Sequence, residues 1–380
     1  MKQKAMRTEQ YDWVDEHDRV VGRGSARDCH SRGKYTRSVH VLLVDPTGRL
    51  LICKRSPKKK SYPDQYTSSA GGHVELSESY RVAAQRELKE ELGISVPLTD
   101  AGRFDVVNKT EAAIHRLFVG RIGRNIKVVT NWEVVSYKLA RVDTLWIDVL
   151  KHPTRYAAPF REALVQYVAW KYGPTYVLDF DHTLFDWYRF KSSLESCLYR
   201  TLKIPPRIFR TAKNKLEQES SGNLYNINEH LREVARKSEI PLPAIQKEYA
   251  RFLRTAPAYI YSDARKFLTM IKKRGARKIL LTFGNKTNQK HFIDATKMNS
   301  SFRSTIYASK KMDKVTAMKK LTKQPRAIVF INDDPAETDM IYKKVPMMRI
   351  VLVERKRAKY YPIAKKHHYT VVQNLTKVRL

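Results

Sequence analysis

The sequence predicts an α/β protein with two domains, each built around a β-sheet. In the first half, short apolar runs of strand length precede a helical stretch that carries three glutamates on one face. In the second half, three apolar runs end in aspartate or threonine, and a long helical stretch separates the first run from the second. A chain of 380 residues is long enough for two or three domains, each with a sizeable core.

The first regular element is a predicted hairpin. Residues 39–44 are apolar, Asp-Pro-Thr-Gly follows at 45–48, and residues 50–53 are apolar again. Two apolar runs joined by turn-favouring residues are typical of paired antiparallel strands. The hairpin is therefore expected to form part of the sheet of the first domain.

The segment from residue 72 to residue 94 reads GHVELSESYRVAAQRELKEELGI. Ser77 can cap the start of a helix and Gly93 can end it, so a helix is expected over residues 78–92. At about 100° per residue, three carboxylates fall within an arc of roughly 100° on one face of this helix: Glu87, Glu90 and Glu91. Carboxylates this close repel one another unless a cation lies between them, and such hard ligands suit Mg²⁺ or Mn²⁺. The face predicts a divalent-metal site for phosphate chemistry.

This segment resembles the catalytic motif of Nudix hydrolases at every defined position. The resemblance implies an α/β/α sandwich over residues 1–172 and the cleavage of a nucleoside diphosphate linked to another group. It implies three metal ligands that also help to activate water: Glu87, Glu90 and Glu91. It further implies that Arg86 orients a glutamate and that Glu78 supports the metal site. The alternative, an exposed helix rich in Glu and Lys, does not require this register.

Three flanking segments, residues 11–23, 39–55 and 61–74, resemble the Nudix branch related to isopentenyl-diphosphate isomerase. Those isomerases carry a catalytic cysteine just before a Gly-His pair, where this chain has Gly71. They also use two upstream histidines as metal ligands; His30 could be the first, but Thr36 occupies the place of the second. These departures, together with the intact glutamate motif, favour hydrolysis over isomerisation. His30 and His73 are expected to be structural or to contact substrate.

A second predicted site follows the helical stretch 160–172, which stops at a Gly-Pro pair. An apolar run at 176–178 leads into Asp179 and Asp181. Their i and i+2 spacing places both carboxylates on one side of a strand end. One carboxylate can then attack phosphorus while the other transfers protons.

Two later apolar runs end in the same manner. Residues 278–281 lead to Thr282, and residues 327–331 lead to Asp333 and Asp334. In a parallel α/β sheet, ligands bind at the carboxyl ends of the strands, so these side chains are expected to share one site. The alternative is that each aspartate only caps the helix that follows its strand.

These strand ends resemble motifs I, II and IV of the haloacid dehalogenase superfamily, which implies a Rossmann-like core over residues 174–380. The resemblance implies that Asp179 is the nucleophile of an aspartyl-phosphate, and that Asp181 is first a general acid and then a general base. It also implies a Mg²⁺ or Mn²⁺ ion with four aspartate ligands: Asp179, Asp181, Asp333 and Asp334.

The resemblance also implies a clamp for the phosphoryl group, made by Thr282 and a lysine. Lys314, at the start of a helical stretch, is the favoured lysine. Lys310 and Lys311 remain alternatives.

Residues from Asp186 to about 260 show helical rather than strand periodicity. The helical stretches are expected at four places separated by Pro, Gly or Asn: 188–202, 206–219, 226–238 and 243–255. Their position and length are those of an α-helical cap, about 187–260, inserted over a haloacid dehalogenase core. Such caps select substrate and exclude water. Several basic residues here could meet an anionic substrate, although most such side chains are simply solvated: Arg189, Arg207, Arg210, Lys213 and Lys215.

The cysteine and hydropathy patterns bear on the compartment. No apolar run is long enough to span a bilayer, and the first residues lack the apolar core of a signal peptide. Three cysteines without metal-like spacing are expected to be reduced thiols: Cys29, Cys53 and Cys197. A cytoplasmic protein without a membrane partner is expected.

The chain is strongly basic, with 73 Lys and Arg against 38 Asp and Glu and a net charge of +35. Most of the excess lies after residue 172, in four clusters: Arg207–Lys215, Arg265–Lys278, Lys310–Lys323 and Arg355–Lys366. Such a charge attracts polyanions, whether nucleotides or RNA, although a generally basic proteome would have the same appearance.

Together these patterns predict a bifunctional, Mg²⁺- or Mn²⁺-dependent hydrolase of a phosphorylated small molecule. The alternative is an RNA-directed protein whose Nudix site trims a 5′ end while the basic second half binds RNA. No pattern in the sequence indicates the identity of the substrate or the oligomeric state.

Overall fold

The structure is a computed structural model that describes residues 10–108, 111–219, 224–355 and 369–378, except the side chains of residues 217, 219 and 311. The chain forms two compact units that divide between Tyr172 and Gly173, with the short stretch Lys323–Ala327 grouped with the first. The basic segment 356–366 lies outside the described residues.

The strands and the α-helices are each numbered in chain order. The strands are β1 (Tyr11–Val14), β2 (Val20–Gly24), β3 (Thr36–Val44), β4 (Leu50–Arg55), β5 (Tyr66–Thr67), β6 (Ala70–His73), β7 (Leu98–Val107), β8 (Ala112–Arg121), β9 (Val134–Ala140), β10 (Thr175–Leu178), β11 (Arg277–Phe283), β12 (Ser304–Ala308), β13 (Ile328–Asn332), β14 (Met348–Val353) and β15 (Thr370–Val372). The α-helices are α1 (Ala26–Ser31), α2 (Tyr80–Leu92), α3 (Val142–Lys151), α4 (Ala158–Tyr172), α5 (Trp187–Leu202), α6 (Pro206–Glu219), α7 (Ile227–Ser238), α8 (Leu242–Leu253), α9 (Ser262–Lys273), α10 (Lys286–Ala295), α11 (Lys311–Thr322) and α12 (Pro335–Lys344).

The first unit is built on a mixed sheet in the order β5-β4-β3-β8-β7, with β6 paired to β3 and β9 paired to β4. The predicted hairpin is β3–β4, an antiparallel pair. Its turn forms because the carboxylate of Asp45 accepts hydrogen bonds from the backbone N–H groups of Thr47 (2.9 Å) and Arg49 (2.8 Å). Alternate residues of β3, such as Val39 and Val41, pack in one core with the buried face of α2.

Helix α2 starts later than predicted. Ser77 has a positive φ of 61°, outside the helical region, and the capping side chain is Ser79, which accepts a hydrogen bond from Val82 N. Glu78 therefore lies in the turn before the helix, where its side chain can reach back over the first turns. The predicted end is correct, because Gly93 adopts the left-handed conformation with φ of 64°.

The second unit contains a parallel sheet in the order β12-β11-β10-β13-β14-β15. The three predicted strands are β10, β11 and β13, and β10 lies between the other two. Tyr176 and Leu178 belong to one core of this unit and Val177 to another, as expected for a strand covered on both faces. This order brings the carboxyl ends of the three strands side by side.

Four helices, α5–α8, are inserted between β10 and α9. The inserted segment begins after Phe185 and ends at Ile260, and these two residues form an isolated antiparallel bridge beside a 2.8 Å hydrogen bond from Asp186 N to Tyr259 O. The side chain of Asp186 then caps α5 by accepting a hydrogen bond from Arg189 N at 3.0 Å. Within the described ranges, no helix of either unit is both long and apolar enough to cross a membrane.

Candidate active sites

The glutamate face of α2 lies against strand β6. A Cβ atom on Gly72 would lie 2.1 Å from Oε1 of Glu87 and 2.5 Å from its Cδ. A larger residue at this position would displace the carboxylate, because the strand backbone and the helix side chain meet directly. Gly72 and Glu87, both part of the glutamate motif, thus contact each other directly.

Arg86 holds several carboxylates of this site together. It donates two hydrogen bonds to Glu78, at 3.0 and 2.9 Å, and one to Glu87 at 2.9 Å, and its Nη1 lies 3.4 Å from Glu90. Its Nη2 also donates to the carbonyl of His73 at 3.1 Å. Burial alone would raise the pKa of Glu78, but the hydrogen bonds and charge of Arg86, together with a hydrogen bond from Glu75 N, lower that pKa. The guanidinium therefore fixes Glu78 as a charged partner.

The three glutamates of the face differ in exposure. Glu90 is 56% exposed, whereas Glu91 is buried and accepts a hydrogen bond from Gly71 N at 3.3 Å. Burial, with the nearby charges of Glu87 and Glu133, raises the pKa of Glu91 to about 8. Burial likewise raises the pKa of Glu87. Negative charge is thus crowded into a poorly solvated place.

This donor set fits a hard divalent cation, since only carboxylate oxygens are gathered and their mutual repulsion is only partly offset by Arg86. Among the described residues, no three His, Cys, Asp or Glu side chains already stand in a metal-binding arrangement.

Glu133 is a member of this site that the sequence analysis missed. It contributes to the raised pKa values of Glu87 and Glu91, and it forms an ion pair with Lys59. It precedes β9, far along the chain from the glutamate motif, so no local spacing signals it.

The positions that were compared with isomerases, Gly71, His30 and His73, all contact other residues of the first unit. A Cβ on Gly71 would lie 2.7 Å from the backbone oxygen of Val39, so a cysteine there would require the strand to move. His30 accepts a hydrogen bond from Ala112 N at 3.4 Å, and the ring of His73 packs against Tyr11 at 4.8 Å.

The second site centres on Lys314 in α11. Its Nζ donates to Asp179 Oδ1 at 2.6 Å and to Glu337 Oε2 at 2.7 Å, and its side chain is only 2% exposed. Of the three candidate lysines, the structure brings this one to Asp179. The backbone N–H of Lys310 donates to Asp313, and the side chain of Lys311 lies outside the described residues.

Besides Glu337, three buried aspartates gather near this single lysine. Burial raises the pKa of Asp179 to about 7, although Lys314 opposes the shift. Burial raises the pKa of Asp181 to about 6, although a 2.8 Å hydrogen bond from Gln289 opposes it. Burial and the charge of Asp179 raise the pKa of Asp333 well above its usual range. These acids fit a cation for the same reason as the glutamates of the first site.

The two adjacent aspartates after β13 do different things. Asp333 interacts with Asp179 and accepts a hydrogen bond from Thr183 at 3.2 Å. The side chain of Asp334 instead accepts hydrogen bonds from Ala336 N at 2.9 Å and Glu337 N at 3.1 Å, and so caps α12. The capping alternative thus describes the contacts of Asp334 but not those of Asp333.

Thr282, near the end of β11, offers a hydroxyl group for a ligand. The residue is 1% exposed, and its Oγ1 has no hydrogen-bond partner among the residues described. A buried hydroxyl without a partner is costly unless a ligand satisfies it, and a phosphoryl oxygen can do so.

Arg355 fixes the loop that follows β10, and sequence reasoning missed it. Its guanidinium donates to Thr183 O and to Asp263, both at 2.8 Å. Gln289, which holds Asp181, was missed as well. Both act across long separations in the chain, where periodicity and spacing give no information.

Comparisons with known proteins match each half of the chain to a family. The NUDIX domain model matches residues 34–163, and the haloacid dehalogenase-like hydrolase model matches residues 174–341. A prenyl-diphosphate phosphatase of Methanosarcina mazei is 32% identical over 157 residues, which are 40% of this chain and 91% of that relative. An isopentenyl-diphosphate Delta-isomerase 2 of Photorhabdus laumondii is 30% identical over 143 residues, 36% of this chain and 76% of the relative.

A solved structure from Burkholderia xenovorans, described as a haloacid dehalogenase-like hydrolase, covers 54% of this chain and 98% of its own chain, with a TM-score of 0.42 and 15% identity. The predicted families and fold class are confirmed by the family matches. The chain therefore belongs to the Nudix family through its first half, joins that domain to a haloacid dehalogenase-like hydrolase domain, and is a hydrolase of phosphate esters and anhydrides.

Proposed function

We propose that this chain is a bifunctional hydrolase whose two sites act in sequence on one compound. The Nudix domain, residues 1–172, cleaves a phosphoanhydride bond and leaves a phosphomonoester. The haloacid dehalogenase-like domain, residues 174–380, then removes the remaining phosphate. The observation that carries the proposal is the presence in one chain of two separate clusters of carboxylates, each containing buried members and one cationic side chain.

In the Nudix site, we assign Glu87, Glu90 and Glu91 to the binding of Mg²⁺ or Mn²⁺, which when bound would neutralise the diphosphate and make a water molecule more acidic. Arg86 orients Glu87 and holds Glu78 charged beside it. We assign to the carboxylates of Glu87 and Glu91 the role of accepting the proton of the attacking water.

In the second site, Lys314 fixes Oδ1 of Asp179 and leaves Oδ2 to attack phosphorus. The bond between phosphorus and the ester oxygen breaks, and Asp181 donates its proton to the departing alcohol. Asp181 then accepts a proton from the water that hydrolyses the aspartyl-phosphate. Thr282 and Lys314 hold the phosphoryl oxygens.

The metal ligands of the second site are assigned to Asp179 and Asp333. Asp181 is needed for proton transfer, and Asp334 is engaged as a helix cap. A divalent cation bound there would reduce the repulsion between the phosphate and the attacking carboxylate.

The sequential reaction is tested by product analysis with diphosphates, beginning with the prenyl diphosphates named for one relative. We expect the parent protein to release the fully dephosphorylated alcohol. Glu91→Gln should leave the diphosphate intact, whereas Asp179→Asn should accumulate the monophosphate. An equimolar mixture of the two variants should restore complete conversion after a lag, because the monophosphate must diffuse between molecules.

Phosphorus NMR follows the diphosphate, the monophosphate and inorganic phosphate, and mass spectrometry also detects the alcohol. If Asp179→Asn yields the alcohol as fast as the parent does, the two sites do not act in sequence.

The net charge of +35 supports a second proposal, in which the protein acts on RNA. A titration with random single-stranded RNA at low and at physiological salt separates the proposals. For a metabolite enzyme we expect weak binding that vanishes at physiological salt. Micromolar or tighter binding that persists there would favour RNA.

A further inference from the structure

A cavity of about 290 Å³ lies in the second unit, between the inserted helices and the core. Asp181 lines it, so it adjoins the place where the phosphate ester is broken. Its volume is at the lower end of the range of small-molecule sites, about 300–1,000 Å³. The group that departs with its oxygen from phosphorus would therefore lie in this cavity.

The wall of the cavity is dominated by aromatic and aliphatic side chains. Helix α5 contributes Trp187 and Phe190, α6 contributes Phe209, and α10 contributes Phe292. The ring of Trp187 meets Phe292 edge-on at 4.7 Å, and Phe190 meets Phe292 at 5.7 Å. Because these rings support one another, they form a firm apolar surface. Leu224, which is half-buried, extends this surface.

Several polar groups on the core side of the cavity are engaged in internal hydrogen bonds, whereas the buried Oε1 of Gln289 has no partner among the residues described. Asn288 donates to the carbonyl of Tyr225 at 2.6 Å. Gln289 donates to Asp181 at 2.8 Å and to the carbonyl of Phe283 at 3.1 Å. The side chain of Asn285 accepts from Asn288 N at 3.2 Å. A sugar placed here would bury several hydroxyl groups beside engaged partners, which is unfavourable.

Two lysines also line the cavity, Lys191 and Lys213. Lys191 lies 3.9 Å from Glu195, which offsets part of its charge. The alternative interpretation is therefore that the cavity binds a substrate with an anionic group at its far end.

We propose that this cavity binds the hydrocarbon group of the phosphomonoester, so that the second site hydrolyses monophosphates of apolar alcohols in preference to sugar or nucleoside phosphates. The proposal rests on the phosphatase activity proposed above. Water and the ester are consumed, and the free alcohol and inorganic phosphate are formed.

The test compares kcat/KM for hexyl phosphate, a hexose phosphate, a hexyl chain with a phosphate at each end, and methyl phosphate. We expect hexyl phosphate to exceed the hexose phosphate by at least about tenfold, since burial of the apolar chain stabilises its transition state. The bisphosphate should be the poorer substrate of the two hexyl compounds. Methyl phosphate reports the phosphatase without a group in the cavity.

Variant Leu224→Asn keeps the size of the side chain and makes it polar. It should lower the ratio of hexyl to methyl phosphate hydrolysis by several-fold. Tyr199→Ala is the matched control, because Tyr199 is a 52% exposed aromatic residue of α5 outside the cavity lining, and its ratio should equal that of the parent.

The outcomes distinguish this inference from the proposal beneath it. A parent that hydrolyses hexose phosphate or the bisphosphate as well as hexyl phosphate would overturn the apolar assignment and leave the phosphatase intact. An unchanged ratio in Leu224→Asn would also overturn the assignment. A parent inactive on every monophosphate would refute the phosphatase and the inference together. If Leu224→Asn does not fold, the substrate ratios of the parent decide alone.

Discussion

Replacing Asp179 with asparagine is expected to lower phosphomonoester hydrolysis by at least about a thousandfold. The amide cannot attack phosphorus to form the acyl-phosphate, so the loss should appear in kcat rather than in KM alone. Beryllofluoride, which mimics the phosphoryl group on a carboxylate, should bind the parent and not the variant. Activity is measured by phosphate release from methyl phosphate and a larger ester.

The variant should remain folded. Burial disfavours the charge of Asp179, as its raised pKa indicates, and Lys314 keeps its second partner Glu337. Thermal unfolding and Nudix activity check this. Asp294→Asn, at a partly exposed aspartate of α10 that pairs with Lys290, is the matched control and should retain activity. Full activity in Asp179→Asn would refute the nucleophile assignment.

Replacing Glu91 with glutamine is expected to lower diphosphate cleavage by at least about a hundredfold. The amide has nearly the same shape and can keep the hydrogen bond from Gly71 N, but it removes a negative charge from the metal site. Adding Glu90→Gln should abolish the remaining activity. Chelation of divalent cations should inactivate the parent reversibly, and Mg²⁺ or Mn²⁺ should restore it.

Two controls accompany the Glu91 variant. Hydrolysis at Asp179 should be unchanged, so each active site is an internal control for the other. Glu16→Gln, at an exposed glutamate of the same unit, should retain the parent activity. If the double variant cleaves diphosphates at the parent rate, the assignment of the glutamate face to metal binding is wrong.

The sequence predicted the elements that are formed by residues close together in the chain. The glutamate helix, the β3–β4 hairpin and the strands that lead to Asp179, Thr282 and Asp333 follow from periodicity and turn residues. The start of α2 was placed too early, because a serine cap before a polar turn has the same appearance in sequence at either of two positions. A left-handed φ at Ser77 decides between them, and it depends on the tertiary structure.

Side chains that meet across long separations were less accessible to the sequence. Lys314 and Asp179 are 135 residues apart, and the other candidate lysines have the same local surroundings in sequence. Glu133, Gln289 and Arg355 carry no motif. The apolar wall of the cavity could not be predicted from the sequence either. An aromatic residue on an inserted helix has the same helical periodicity whether it faces a core or a ligand.

The antiparallel bridge between Phe185 and Ile260 has a consequence for how this protein can change over evolutionary time. Because the inserted segment begins and ends at neighbouring points, the strand order requires nothing of the number, length or sequence of its helices. Mutations that reshape the cavity wall can accumulate there while the bond-breaking residues stay on the strand ends. New specificities could thus be acquired without rebuilding the catalytic apparatus.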